Sequence, residues 1–514
     1  MKKCFNLQRL FSNNWFCIVL IVCELGGIIP FFKAMADQSY MLWIIAYIIG
    51  YGTFLYILNQ DESPGAKLPW ICVVLIIPPF GALFYGLFHG SRISRRERKH
   101  LTHLRSAVNT EKTLQDVQVL EQLKKQDREA YGKAKALLHD DGEARMYENT
   151  SSRYYPLGEQ MFSDMLEDLK KAEHFIFLEY FIVEKGTMWN SVLEVLKEKV
   201  QRGVEIRMLY DDLCSFISLP TDYDKELRKL GIECYRFSKF TPLASAVHNN
   251  RDHRKILVID GKIGYTGGIN LADEYINKKE RYGHWKDGGI RLEGEAVWGL
   301  SKLFLTNWDI NQKTISDYER YHVPQEAVTK QRGYYIPFGS GPQPLYRTRV
   351  GENVLLNLIN QAKDYIYITT PYLIIDYELM DALRNAAIRG VRVVLITPHI
   401  PDKKLVFLMT RSNYMPLLDA GVQIYEYTAG FVHMKTLVSD DRYGMSGTIN
   451  MDYRSLMHHY EDAVWMYRTE IIPDMKSDME QTISASMRIE KENLHLPLWQ
   501  KLLKSVVQLF APLM

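Results

Sequence analysis

Two copies of one short pattern hold the residues of this chain that are best suited to chemistry. Each copy reads His-x-Lys, then four residues, Asp, six residues and Gly-x-x-Asn. A pattern of this length is not expected twice in one chain by chance. The polar residues of the two copies are His253, Lys255, Asp260 and Asn270, and then His433, Lys435, Asp440 and Asn450.

A phosphodiester substrate would use every residue type in this pattern. The two lysines would offset the phosphate charge, most strongly in a site shielded from water. The asparagines would donate hydrogen bonds to phosphoryl oxygens. Small residues just before the asparagines, at Gly267, Gly268 and Gly447, would let the backbone approach the phosphate.

The histidines and aspartates of the pattern are suited to acid–base and nucleophilic roles. One histidine would attack phosphorus and the other would protonate the leaving alkoxide, while the aspartates orient the imidazoles. Each copy supplies only one histidine, so the reaction needs both copies. We therefore predict that two halves pack face to face with one site between them. Whether Asp260 and Asp440 serve the histidine of their own half or of the other half is left open.

Helical and strand-like segments alternate before each copy, in the same order in both halves. A helix at residues 158–172 precedes a strand at 175–181, and a helix at 351–362 precedes a strand at 365–369. This alternation predicts α/β domains in which helices flank each sheet. We place the first domain at residues 149–335 and the second at 336–490. Both motif histidines are expected on strands.

The first 90 residues hold three apolar runs, at residues 15–32, 41–58 and 69–88. Each run is close to the ~20 residues that cross a bilayer as a helix, which predicts two to three transmembrane helices in residues 1–90. The first run contains Glu24 and Pro30, and it could instead be re-entrant or interfacial. Basic residues after the last run predict that the charged connector at 91–148 and the remaining chain lie in the cytoplasm.

The C-terminal end and the composition bound the remaining expectations. Residues 491–514 predict an amphipathic helix, for which docking on the protein's own core and lying at the membrane interface both fit. The net charge of +2 lacks the basic excess typical of nucleic-acid-binding proteins, so we expect no nucleic-acid partner. None of the six cysteines forms a Cys-x-x-Cys pair, which predicts free thiols and no zinc site.

The motifs and the strings around them resemble the phospholipase D superfamily, whose members carry two such motifs in two packed α/β halves. The closer resemblance is to bacterial cardiolipin synthases, and it covers nearly the whole chain from residue 41. The run at residues 15–32 is a departure, because many relatives have two spans. The strings that carry the resemblance include Phe177-Leu178-Glu179-Tyr180, Arg254-Lys255-Ile256-Leu257-Val258-Ile259-Asp260-Gly261, Gly267-Gly268-Ile269-Asn270, Thr369-Thr370-Pro371-Tyr372 and Gly447-Thr448-Ile449-Asn450-Met451-Asp452.

This resemblance implies phosphatidyl transfer between two phosphatidylglycerol molecules, giving cardiolipin and glycerol through a phosphatidyl-histidine intermediate. It implies His253 as the nucleophile and His433 as the general acid, with the lysine and aspartate of each motif completing the catalytic set. No cofactor and no metal ion are expected, because the lysines and asparagines take the electrostatic role. The expected substrate-binding residues are Asn270, Asn450, Gly268, Thr448, Glu179 and Tyr372.

Related activities would use the same residues. A membrane-bound phospholipase D-type hydrolase or another phosphatidyltransferase is the nearer alternative, and a membrane-anchored nuclease is the remoter one. The expected partners are phosphatidylglycerol and cardiolipin in the cell membrane, where the chain is predicted to be a multi-pass protein with cytoplasmic catalytic domains. The sequence leaves open whether the chain forms a homo-oligomer.

Overall fold

The computed structural model of the protein describes residues 40–60, 64–89, 99–104, 114–215, 218–238, 250–325 and 333–494. These residues belong to two compact units, an N-terminal helical unit and a larger unit that contains both motifs. The apolar run at residues 15–32 lies outside the described residues. So do residues 495–514, most of the segment predicted as a C-terminal amphipathic helix.

The described residues of the N-terminal unit form three helices, α1 (Tyr40–Leu58), α2 (Pro64–Ile76) and α3 (Pro78–Phe88). The apolar run at residues 69–88 was expected to form one helix, but it is broken at Ile77. Pro78 has no N–H to donate, and its ring disfavours a helical conformation at the residue before it. No helix in the described part of the chain is both long enough and apolar enough to span a bilayer.

The helices of the larger unit mostly follow the strands that they cover. They are α4 (Leu114–Gln126), α5 (Arg128–Asp141), α6 (Gly158–Lys171), α7 (Thr187–Gln201), α8 (Asp212–Ser215), α9 (Tyr223–Lys229), α10 (Val297–Gln312), α11 (Tyr318–Tyr321), α12 (Val350–Gln361), α13 (Tyr377–Ile388), α14 (Lys404–Ser412), α15 (Tyr414–Asp419), α16 (Tyr453–Met457) and α17 (Ile472–Ser484).

The strands are short and rich in β-branched and aromatic residues, which suit buried sheets. In the first half they are β1 (Thr150–Tyr155), β2 (Phe175–Tyr180), β3 (Glu205–Asp211), β4 (Glu233–Phe237), β5 (Lys255–Ile259), β6 (Ile263–Gly267), β7 (His284–Lys286) and β8 (Gly289–Gly294). In the second half they are β9 (Tyr334–Ser340), β10 (Tyr365–Thr369), β11 (Leu373–Ile374), β12 (Arg392–Pro398), β13 (Gln423–Tyr427), β14 (Gly430–Val432), β15 (Thr436–Ser439), β16 (Tyr443–Gly447), β17 (Met451–Asp452), β18 (Glu461–Tyr467) and β19 (Ser486–Arg488).

The two halves build their sheets in the same strand order. The first sheet runs β1-β8-β6-β5-β2-β3-β4, and the second runs β9-β18-β16-β15-β10-β12-β13 with β19 added at its edge. In both sheets the β2-β3-β4 or β10-β12-β13 neighbours are parallel. The motif strands β5 and β15 pair antiparallel with their neighbours. The predicted α/β class with two similar halves is therefore confirmed.

A shared apolar layer lies between the two sheets. It includes Phe177 and Ile256 from the first sheet and Ile396 and Val438 from the second, together with residues of α10 and α17. Helices α6 and α7 cover the outer face of the first sheet, and α12 and α13 cover that of the second. Burial of apolar surface from both halves in one layer holds them face to face.

Short backbone pairings also join the halves at the level of the motifs. Strand β7 of the first half pairs in parallel with β14 of the second. At the corresponding place on the other side, Asp252 forms an isolated bridge with Tyr460. His253 directly follows one of these pairings and His433 directly follows the other. The junction of the halves therefore positions both motif histidines.

Candidate active site

Both motif histidines are fixed by the backbone of the opposite half. The strands β5 and β15 begin after His253 and His433, so the histidines precede the strands on which the sequence analysis placed them. The His253 N–H donates to the Tyr460 carbonyl oxygen at 2.9 Å, and the His433 N–H donates to the Lys286 carbonyl oxygen at 2.8 Å. A shift of one half against the other would therefore displace both histidines.

Each imidazole is also paired with a carboxylate from the opposite half. His253 Nδ1 lies 2.8 Å from Glu461 Oε2, and His433 Nδ1 lies 2.6 Å from Asp287 Oδ2. An ionised carboxylate accepts a hydrogen bond from the Nδ1–H group. In a neutral imidazole Nε2 then carries the lone pair, and in a protonated imidazole Nε2 carries an exchangeable proton. Each half thus supplies one imidazole to the site and orients the imidazole of the other.

The motif aspartates do not orient the imidazoles, which corrects the role predicted for them. The Asp260 carboxylate accepts hydrogen bonds from the backbone N–H groups of residues 173–175 at 2.7 to 2.8 Å. The Asp440 carboxylate does the same for residues 363–365 at 2.9 to 3.0 Å. Both residues lie in the turns at the far ends of β5 and β15. They fix the strand that carries each motif rather than its histidine.

The orienting carboxylates Glu461 and Asp287 were missed by sequence reasoning. They occupy corresponding positions, at the start of β18 and just before β8, but they differ in residue type. The neighbouring motif position compensates for that difference. A Cβ at Gly268 would lie 2.0 Å from Asp287 Oδ1, so only glycine fits there. The corresponding Thr448 instead donates its hydroxyl to Glu461 Oε2. Gly268 and Thr448 therefore support the carboxylates.

Glu461 is held as an ionised acceptor. Besides the His253 imidazole and the Thr448 hydroxyl, it accepts a hydrogen bond from Ser455 Oγ at 2.7 Å. Burial alone would raise the pKa of Glu461, but the hydrogen bonds that it accepts, first among them that of His253, outweigh burial and hold the pKa well below the usual range. A permanent negative charge therefore faces His253 Nδ1.

The two motif lysines are buried and easily deprotonated. Lys255 Nζ donates to the His253 carbonyl oxygen at 2.6 Å, and Lys435 Nζ donates to that of His433. Burial lowers the pKa of Lys255 to about 8, against the attraction of Glu461. Burial also lowers the pKa of Lys435 to about 7, where repulsion by Lys255 adds to the effect. Because such a repulsion acts only between neighbouring charges, the two lysines lie in one site.

Burial keeps both imidazoles neutral at physiological pH. It lowers the pKa of His253 well below the usual value, although Glu461 opposes the shift. It lowers the pKa of His433 to about 4, with a further contribution from the Lys435 charge. A neutral imidazole is the nucleophilic form. An incoming anion would raise these pKa values, because it favours the protonated form of each neighbouring group.

The motif asparagines differ in how they are used. Asn270 Oδ1 accepts from the Ile182 N–H at 3.0 Å, and its Nδ2 donates to the Tyr275 hydroxyl at 2.6 Å. Asn270 therefore retains one amide hydrogen for a ligand. Asn450 is buried, and its Oδ1 has no hydrogen-bond partner among the described residues. The Asn450 amide oxygen thus lacks the protein hydrogen bond that the Asn270 amide oxygen makes.

The two predicted pocket residues on strand ends lie in different environments. Glu179 is fully buried, and its Oε1 accepts from Asn307 Nδ2 at 2.6 Å. Burial and the neighbouring Asp252 raise the pKa of Glu179 well above its usual value. Glu179 therefore belongs to the interior rather than to an open headgroup pocket. Tyr372 is only partly buried, and its hydroxyl donates to Asp402 Oδ2 at 2.5 Å.

Two groups of side chains in the described part of the chain have the spacing to hold a metal ion. The first includes the motif histidine of the first half, and the second lies on α12 and at the start of α13. The groups are His253, His459 and Glu461, and Glu352, Asp376 and Glu378. In the first group the imidazole and the carboxylate already pair with each other.

The geometry defines a class of enzyme. Two neutral imidazoles, each held by a carboxylate, share one buried site with two lysines whose charge suits a phosphate group. Only the two halves together complete the site, which is the arrangement of the phospholipase D-like phosphodiester-processing proteins.

Comparison with known proteins places the chain within that class. The family model described as "Cardiolipin synthase, PLD-like domain" matches residues 165–281 and 355–483. A cardiolipin synthase of Alkalihalophilus pseudofirmus is 32% identical over 93% of this chain and 95% of its own length. An uncharacterized protein of Streptococcus mutans is 43% identical over 90% of this chain and the whole of its own. The chain belongs to the cardiolipin synthase family.

A solved structure shares the fold. The phosphatidylserine synthase of Haemophilus influenzae superposes with a TM-score of 0.54 at 16% identity, over 74% of this chain and 98% of that one. This likeness concerns the arrangement of the two α/β halves.

The first prediction separates the orienting carboxylates from the motif aspartates. We expect Glu461→Gln and Asp287→Asn to lower kcat by about 10³- to 10⁴-fold, because an amide no longer fixes the imidazole tautomer. The matched variant Asp260→Asn should instead lower the melting temperature, since three backbone N–H groups lose an ionised acceptor, while the folded fraction keeps its kcat. Steady-state kinetics and thermal melts check both. An Asp260→Asn enzyme as inactive as Glu461→Gln at an unchanged melting temperature would contradict this division.

The motif lysines are expected to take up a proton when an anion binds. With pKa values near 7 and 8, the motif lysines lose charge as pH rises through that range, and a bound anion opposes the loss. Binding of sulfate, whose own charge is constant between pH 7 and 8, should therefore take up about one proton, and its affinity should fall as pH rises. Calorimetry in buffers of different ionisation enthalpy measures the uptake. The Lys435→Met variant should take up less, and uptake that is zero in the unmodified enzyme is the contrary result.

Proposed function

We propose that the protein is a phosphatidyltransferase that converts two phosphatidylglycerol molecules into cardiolipin and glycerol. The observation that carries the proposal is the pair of imidazole–carboxylate contacts made across the two halves. Membership of the cardiolipin synthase family supports the identity of the substrates.

In the first step, His253 Nε2 attacks the phosphorus of one phosphatidylglycerol. The bond between phosphorus and the headgroup glycerol oxygen breaks, and a phosphatidyl-histidine forms. His433, protonated once the substrate anion is bound, gives its Nε2 proton to the departing alkoxide, so free glycerol leaves. Glu461 supports this step by holding the proton on His253 Nδ1 and by offsetting the positive charge that the ring gains.

In the second step, a headgroup hydroxyl of another phosphatidylglycerol attacks the same phosphorus. His433 takes the proton of that hydroxyl, the bond between phosphorus and nitrogen breaks, and His253 is regenerated. No net proton is gained or lost over the two steps. Asp287 keeps His433 in the tautomer that suits both transfers.

Electrostatic stabilisation comes from the lysines and from the polar groups near them. Lys255 and Lys435 offset the negative charge on the phosphoryl oxygens, and their burial strengthens the effect. Asn450 and the remaining amide hydrogen of Asn270 are the further donors proposed for the phosphate. Tyr372 is proposed to contact the headgroup. Both histidines are less than a tenth exposed, which limits the access of water to the intermediate.

The acceptor and the nucleophile can be tested separately. Membranes that contain the protein, given labelled phosphatidylglycerol, should yield cardiolipin and free glycerol. Phosphatidic acid as the main product would indicate a hydrolase instead, and no lipid conversion with cleavage of labelled DNA would indicate a nuclease.

A phosphatidyl ester of p-nitrophenol tests the assignment of the two histidines, because this leaving group needs no acid. The His433→Asn variant should release about one equivalent of nitrophenol and retain a phosphatidyl adduct, because its second step lacks a base. The His253→Asn variant should give neither the burst nor the adduct. An adduct that forms in His253→Asn and not in His433→Asn would reverse the assignment.

We also propose that the N-terminal region attaches the enzyme to the cell membrane as a multi-pass segment, with the catalytic halves in the cytoplasm. Helices α1 to α3 expose large apolar side chains, among them Ile48 at 65% and Ile76 at 76%. Exposed apolar surface of this extent favours contact with lipid over contact with water. Such attachment would bring the site within reach of lipid phosphodiesters.

The attachment predicts how the full chain fractionates. We expect it to stay with membranes after a high-salt wash, because apolar rather than ionic contacts hold it. Introducing charge with Ile48→Lys and Ile76→Lys should release a measurable fraction, since a lysine is costly to place in hydrocarbon. The matched variant Ile388→Lys changes a side chain that is 66% exposed on the catalytic unit, and it should not be released. Release of the Ile388→Lys variant to the same extent as the variants in α1 and α2, or full release of the parent by salt, would argue against attachment through α1 to α3.

A further inference from the structure

A third imidazole lies beside the proposed nucleophile. His459 is 8% exposed, and neither of its ring nitrogens has a hydrogen-bond partner among the described residues. Burying a polar ring in this way costs free energy unless a partner is supplied. His459 lies outside both copies of the motif, and it has no role in the two proposed catalytic steps.

The position of His459 relates it to the reacting group. Its ring centroid lies 5.5 Å from that of His253, and the ring of Phe181 contacts both imidazoles. Glu461 faces both rings. Its Oε2 is 2.8 Å from His253 Nδ1, and its Oε1 is 3.7 Å from His459 Nδ1, which is longer than a hydrogen bond. Because Nδ1 and Nε2 lie on opposite edges of an imidazole, both Nε2 atoms are directed away from this carboxylate.

The corresponding position of the other half also carries a buried ring with an unused N–H. Trp285 precedes Lys286 as His459 precedes Tyr460, and its indole lies 5.5 Å from the His433 ring. Its Nε1 has no hydrogen-bond partner in the described part of the chain. An unsatisfied ring nitrogen next to each motif histidine is therefore a repeated feature of the site.

We propose that His459 binds the phosphoryl group, with its Nε2–H donating to a non-bridging phosphate oxygen while His253 Nε2 attacks phosphorus. In an in-line displacement the leaving group departs opposite the nucleophile. His459 lies on the side of His253, so it contacts an equatorial oxygen and does not replace His433 as the acid. His459 makes and breaks no covalent bond. The lipid identity of the phosphodiester rests on the proposed function, but the contact itself requires only a phosphate oxygen.

Inhibition by inorganic phosphate tests this contact. The His459→Phe variant keeps a ring of similar size but removes both nitrogens, and it should raise the inhibition constant of phosphate and lower kcat/KM by about tenfold or more. The His459→Gln variant keeps an N–H donor and should recover most of both. The neighbouring His458→Phe variant makes the same change one residue away and should match the parent. Values for His459→Phe within twofold of the parent would overturn the proposal, as would failure of glutamine to rescue them.

A spectroscopic readout covers the case in which His459→Phe does not fold. In the full-length protein labelled with ¹⁵N-histidine, saturating phosphate should shift the ring ¹⁵N resonances of His459, identified by their loss in His459→Gln. Resonances of His459 that do not move while those of His253 do would overturn the assignment. Activity that a chelator abolishes in the parent, but not in His459→Gln, would assign His253, His459 and Glu461 to a metal ion and would also overturn it.

The outcomes remain separate from those for the proposed function. The resonance shift of His459 is measured with phosphate and without lipid, and it is also expected in the His253→Asn variant, which forms no adduct. A protein that binds phosphate through His459 but makes no cardiolipin would leave this contact intact and refute only the reaction. A protein that makes cardiolipin with an unperturbed His459 would do the reverse.

Discussion

The structure depends on the exchange of carboxylates between the two halves. Glu461 holds His253, and Asp287 holds His433, so neither half has a complete imidazole–carboxylate pair of its own. Hydrogen bonds as short as these tolerate displacements of only a few tenths of an ångström. The shared apolar layer between the sheets and the paired strands β7 and β14 supply that alignment. Buried Arg254 adds to it by donating to the carbonyl oxygen of Glu461 and to the hydroxyl of Tyr346.

The same burial that aligns these groups also sets their charge. The imidazoles are neutral and the lysines are close to losing their protons, while Glu461 stays ionised. The site without substrate therefore carries little net charge, which is the form least costly to bury. A phosphodiester anion changes this balance, because it favours protonation of the groups around it. In the proposed mechanism, substrate binding thereby supplies His433 with the proton that the leaving group needs.

The sequence alone predicted the residues of the two motifs and the need for two halves, because identical spacing recurs in one chain. It could not predict the role of Asp260, because spacing shows that a residue is fixed but not which atoms it binds. Strand β5 spans five residues, about 16 Å at ~3.3 Å per residue, and it separates Asp260 from His253. The true orienting residues differ in type and come from the opposite half, so no local signal marked Glu461 and Asp287. The break at Pro78 did have a local signal, which the length of the apolar run obscured.

The two halves share one strand order, which is the pattern expected of a duplicated domain. A protein with one such half could build this site only as an isologous dimer related by a two-fold axis, and its two histidines would then be identical. Joining two copies in one chain removes that constraint. Gly268 with Asp287 on one side, and Thr448 with Glu461 on the other, record how far the copies have since diverged. Divergence of two joined copies thus allows each imidazole to be adapted permanently to one role, whereas in a symmetric dimer the bound substrate alone would assign the roles.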